Sequence, residues 1–188
     1  LSNFSYDETK KFLKEQIDYE ESLFANIYRI SKGNPTTIST LLRVMKRNSE
    51  IDFHSNLQNG IELDKLYAIE YELYKERFEE IDDILSVLVF GDVSIRLEQL
   101  LGVTKISNVR FNEILDLAAI LEVKDGIVAF KSDSFARFVR KYLKHLENKA
   151  LKSIVSYINQ NPDDSTLNGS LIKYNHRIGN SSEVVRLL

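Results

Sequence analysis

The 188 residues predict a mainly α-helical chain carrying one small β-hairpin, on three observations. Apolar residues recur at helical spacing through most of the chain. The seven glycines and two prolines fall almost entirely between those stretches. One Asp-Gly pair, Asp125-Gly126, separates two short β-prone runs. A hydrophobic share of 43% against 28% charged supports a real core and excludes wholesale disorder.

The elements follow in order. Ser5, with Glu8 three residues on, is a capping box, and Phe12, Leu13 and Ile17 give the first helix its apolar face. A second helix is expected from about Glu20 to Lys32 on Leu23, Phe24, Ile27, Tyr28 and Ile30. Gly33 can take the left-handed conformation that stops it. Asn34 is then an N-cap and Pro35 a first helical residue, opening a helix whose face is Ile38, Leu41, Leu42 and Met45. A polar loop from about Asn48 to Gly60 marks an internal boundary. From Leu63 to Phe90 the pattern is helical and acidic. Nine carboxylates between Glu62 and Asp83 stand against Lys65, Lys75 and Arg77, a composition that reads as a solvated face.

After Phe90 and Gly91-Asp92, a short helix is expected from Ser94 to Leu101, closed by Gly102. Ser107 caps a longer one carrying Val109, Ile114, Leu115, Ala118 and Leu121. The Asp125-Gly126 hairpin follows, and then a helix from Asp133 to Leu143. Three helices followed by a hairpin make a winged-helix pattern. From Glu147 onward, two to three helices broken at Asn161-Pro162 and Gly179-Asn180 read as the TPR-like start of an array of helical hairpins, with Leu167, Leu171, Tyr174 and Ile178 as packing residues.

Most catalytic chemistry is excluded. Without cysteine there is no disulfide, thiol catalysis or thiolate metal site, and a reducing, cytoplasmic setting is expected. His54, His145 and His176 lack metal-ligand spacing, so no metal is expected. No phosphate loop or G-x-S-x-G nucleophile motif exists. Asp82 and Asp83, adjacent on a helix, point about 100° apart and cannot face one another. The run Leu85–Asp92 keeps helical spacing with Phe78 and Ile81, which favours a helix end over a strand delivering an acid. No run is long enough for a membrane span, and the net charge of -3 gives no general pull towards nucleic acid.

Charge is nevertheless uneven. Between Lys131 and Lys152, seven basic residues face only Asp133 and Glu147. This segment reads either as a phosphate-contacting stripe or as a helix paired with the acidic 62–83 stretch. A winged-helix DNA-binding regulator is the alternative reading, with Arg110, Arg137 and Lys141 as its contacts. The presumed recognition helix is poorly suited to it, because Asn108, Arg110 and Asn112 share it with Glu113 and Asp116.

Ile30-Ser31-Lys32-Gly33-Asn34-Pro35, joining two helices ahead of a winged-helix pattern, resembles the lid signature of STAND-type ATPases, the NB-ARC- and NACHT-like nucleotide switches. The resemblance covers essentially the whole chain. It implies a helical lid over 1–50 with the Gly-Asn-Pro motif, a winged-helix domain over 62–145, and a helical-repeat sensor from 146–188. It implies ADP or ATP as cofactor, held in part by Gly33, Asn34 and Pro35, with the proline against adenine. Phe130-Lys131-Ser132-Asp133 is similar to the family's histidine-acid motif after the wing, with Ser132 in the histidine's place and Asp133 as the acid. The implied partners are an upstream P-loop domain of the same polypeptide, other protomers on activation, and a sensed ligand. Bacterial defence or transcription control is the implied setting. A chain that begins at Leu1, with Met45 as its single methionine, reads as a segment of such a protein, with no complete active site of its own.

Overall fold

A computed structural model describes residues 3–16, 21–47, 63–118 and 120–187. The chain is mainly helical with one small antiparallel sheet, and divides into two compact units, Leu1–Leu73 and Tyr74–Leu188. Ile17, His54 and the expected loop from Asn48 to Gly60 lie outside the described residues.

The first unit holds α1 (Tyr6–Lys14), α2 (Glu21–Ser31), α3 (Pro35–Arg47) and the start of α4 (Leu63–Arg77). The capping box forms: the Ser5 hydroxyl accepts from the Glu8 amide, and the Glu8 carboxylate accepts from the Ser5 amide at 2.7 Å. Leu13, Leu23, Phe24, Ile27, Ile38, Leu41 and Leu42, spaced at three and four residues on their helices, meet Leu66 of α4 in one core. Buried Glu70 of α4 is paired with Arg43 of α3. α4 therefore begins in the first unit's core, although the sequence groups it with the segment that follows.

In the second unit the acidic helix expected to run to Phe90 breaks at Phe78–Glu80, and α5 (Ile81–Phe90) begins there. Then come β1 (Ile95–Arg96), α6 (Leu97–Thr104), α7 (Asn108–Leu117), β2 (Leu121–Lys124), β3 (Ile127–Phe130) and α8 (Asp133–Tyr142). The sheet order is β1-β3-β2, antiparallel throughout, with Ile95 opposite Val128 and Leu121 opposite Phe130. Helix, strand, two helices and a hairpin that closes on the lone strand is winged-helix connectivity. The hairpin turns on Asp125 (φ 51°) and Gly126 (φ 76°), two left-handed residues as a type I′ turn requires.

Three local expectations are corrected. The residues read as the start of the Ser94–Leu101 helix supply β1, because Ile95 and Arg96 pair with Val128 and Ile127, more than 30 residues away. The helix closes on Lys105 (φ 60°) rather than Gly102, which lies inside α6 beneath the Tyr157 ring. Leu121 opens β2 instead of ending α7, and Val109 is 73% exposed instead of facing the core.

A 3₁₀ turn at Lys144–Leu146 leads to α9 (Glu147–Gln160), α10 (Ser165–Asn168), α11 (Leu171–Arg177) and α12 (Ser181–Leu187). These are four helices where two to three were expected. α9 buries Leu151, Ile154 and Ile158 and packs on α5, α6 and α11, so the C-terminal helices share the core of the winged module. Gly179 (φ 77°) turns α11 into α12.

Candidate functional site

Gly33, Asn34 and Pro35 form a tight helix-to-helix joint. Lys32 and Gly33 both have positive φ, and the Gly33 carbonyl accepts the Phe4 amide at 2.8 Å. A Cβ on Gly33 would stand 1.9 Å from the Phe4 carbonyl oxygen, so glycine is required by both torsion and space. The Asn34 side-chain oxygen accepts from the Thr37 amide at 3.0 Å, the N-cap bond, and half-buried Pro35 occupies the first helical position. The side-chain contacts at this joint turn one helix into the next, and the Gly33 carbonyl ties it to the segment before α1.

Ser132 and Asp133 lie together where β3 hands over to α8. The Ser132 hydroxyl caps α8 by accepting the Phe135 amide at 3.3 Å, and lies 2.8 Å from the Ser134 hydroxyl. Asp133, Ala136, Arg137 and Arg140, spaced by three and four residues, share one face of α8. With Leu88, Val89 and Phe130 they line a cavity of about 320 Å³. Arg140 is anchored by donating to the Val89 carbonyl and, at 2.8 Å, to Asp92. Arg137 is exposed, with no ion-pair or hydrogen-bond partner among the described residues.

Asp92 gathers Arg140, Lys173 at 3.1 Å and Arg177. Burial opposes its ionisation. The bonds from Arg140 and Lys173 and the charge of Arg177 outweigh that and hold its carboxyl below the ordinary 3.8. Arg177 also binds Glu147 and donates to the Phe90 carbonyl at 3.1 Å, while the Tyr174 hydroxyl donates to the Gly91 carbonyl. The C-terminal carbonyls of α5 are thus satisfied by α8 and α11, with cations at the negative end of the helix. The sequence alone gives Asp92 no such role, because its partners lie 48 to 85 residues away.

On α7, Arg110 is already engaged: it bonds both oxygens of Glu80, pairs with Glu113 at 3.0 Å, and lies 5.3 Å from the centre of the Phe78 ring. Of the three residues of the DNA reading, Arg137 and Lys141 belong to α8 and Arg110 to α7. The basic segment pairs in part with the acidic one, as in Lys149 with Asp83 at 2.5 Å. A larger cavity of about 470 Å³ lies between α6, α7 and the hairpin turn, but there Arg96 is offset by Glu98 and Asp125. Among the described residues no group of three potential ligands is placed to hold a metal ion, and no helix is long and apolar enough to cross a membrane.

Neither known protein families nor curated proteins yield a match to the chain.

Proposed function

We propose that the chain is the regulatory lid and winged-helix region of a STAND-like signalling ATPase, coupling ADP or ATP state to oligomerisation. The observation that carries this reading is the passage from wing to α8: Ser132 and Asp133 begin a helix whose next turn, bearing Arg137, lines a cavity. The Gly33-Asn34-Pro35 joint supports it as a rigid turn that leaves an apolar ring edge for adenine. An upstream domain of the same polypeptide supplies the phosphate loop and the magnesium-binding acid. The chain's own residues then bias a two-state equilibrium: ADP favours a resting monomer, while ATP and a sensed ligand favour an oligomerising form in the cytoplasm. Bacterial defence or transcription control is the proposed setting.

The reading predicts that replacing Pro35 by serine in the full-length polypeptide weakens ADP binding while leaving the fold intact, measured by calorimetric titration. Unchanged affinity overturns it. A winged-helix DNA-binding regulator predicts instead salt-dependent binding to duplex DNA, lost on joint neutralisation of Arg110, Arg137 and Lys141. The commitment of Arg110 to Glu80 and Glu113 counts against that alternative.

A further inference from the structure

The cavity on α8 differs from the larger one at the wing in its charge. Its walls bring Arg137 and Arg140 to a single carboxylate, Asp133, over an apolar floor of Leu88, Val89, Phe130 and Ala136. Arg140 is locked through Asp92 to Lys173 and Arg177, and Arg177 leads on through Glu147 to Lys144. Cavity wall and network together set Arg137, Arg140, Lys144, Lys173 and Arg177 against Asp92, Asp133 and Glu147, within a chain whose net charge is -3. A local positive excess over a low-dielectric floor focuses potential on the cavity. Arg137 is the wall cation without a protein partner among the described residues, and a guanidinium presents a fork of donors matched to phosphate oxygens.

We propose that Arg137 is the principal phosphate contact of this cavity, with the Asp92-anchored Arg140 as a second cation in the same lining. The ligand is a phosphate-bearing small molecule. About 320 Å³ accommodates one or two phosphoryl groups and lies at the small end of sites that enclose a whole ligand, so the rest of the molecule extends beyond the cavity. That the molecule is a nucleoside diphosphate rests on the switch reading above. The anion site itself rests on the cavity and its charges. Asp133 on the rim opposes the anion, which gives the proposal a second sign to test.

The experiment is calorimetric titration of the 188-residue chain with inorganic pyrophosphate and, separately, with ADP, at low ionic strength. Arg137→Gln is expected to weaken pyrophosphate binding by about tenfold or more, the loss of one charge-assisted contact pair. Asp133→Asn is expected to bind at least as tightly as the unaltered chain, and Lys152→Gln, an exposed cation on α9, to bind unchanged. Circular dichroism checks that each variant folds. Equal pyrophosphate binding by Arg137→Gln, equal loss in Asp133→Asn, or no binding by the unaltered chain overturns the proposal. Pyrophosphate binding without a gain from adenosine upholds the anion site while counting against the nucleotide reading, so the two fail separately.

Discussion

Arg110 donates from Nε and Nη2 to the two carboxylate oxygens of Glu80, at 2.8 and 3.1 Å, fastening the first turns of α7 to the N-cap of α5. The bond from Arg110 holds the Glu80 carboxyl below its ordinary range, and the guanidinium also covers Phe78. A residue that invites reading as a base contact is thus a clamp between two helices. Arg110→Lys keeps the charge but loses the planar fork, so it should lower the thermal midpoint nearly as much as Arg110→Gln. Full rescue by lysine in a melting series would show that charge alone matters.

Gly33→Ala should be the most damaging small substitution in the first unit. The added Cβ meets the Phe4 carbonyl oxygen at 1.9 Å and sits on a residue at φ +76°, so a cost of about 3 kcal/mol or more is expected. Gly126 has the same φ with nothing within 4 Å of the point where a methyl would stand, so Gly126→Ala should cost only the torsional strain, about 1–2 kcal/mol. Hydrogen exchange reads the difference directly: the Phe4 amide, bonded to the Gly33 carbonyl, loses protection in Gly33→Ala alone.

Gly102 gives a prediction whose sign depends on its background. Inside α6, alanine ought to be better than glycine by about 1 kcal/mol. Its methyl, however, would stand 2.4 Å from the Tyr157 ring, so Gly102→Ala should destabilise the chain. In a Tyr157→Ala background the obstacle is gone, and the same change should stabilise. A double-mutant cycle by urea unfolding checks this reversal.

The same residue shows where sequence reading stops. Ser5, Asn34, Ser107 and the Asp125-Gly126 turn are legible because each acts within four residues of itself, through a cap or a pair of left-handed torsions. Gly102 reads locally as a helix stop because the reason for it, the Tyr157 ring, lies 55 residues on. β1 escapes the sequence for a like cause: two residues carry no periodicity, and only pairing with β3 makes them a strand. Of the candidate site, the cap at Ser132 and the i, i+3, i+4 face of α8 can be read locally. The engagement of Arg110 and the anchoring of Arg140 cannot, since Glu80 and Asp92 are 30 and 48 residues distant.

Asp92 should govern the acid limit of the second unit. Its carboxyl is held below 3.8, so in the folded state it stays ionised at pH values where the unfolded chain takes up a proton. Its stabilising contribution is therefore complete above about pH 5 and is lost as pH falls through the lowered folded value. Glu147, held down by Arg177 and Lys144, acts in the same direction. Asp92→Asn removes the charge shared by Arg140, Lys173 and Arg177 and should cost about 1–3 kcal/mol at pH 7. Because the variant has lost a group that titrates differently in the two states, the gap between it and the parent should narrow as the pH drops from about 5 towards about 3. A parallel offset between the two stability curves across that window would mean that Asp92 acts through shape at the end of α5 and not through charge.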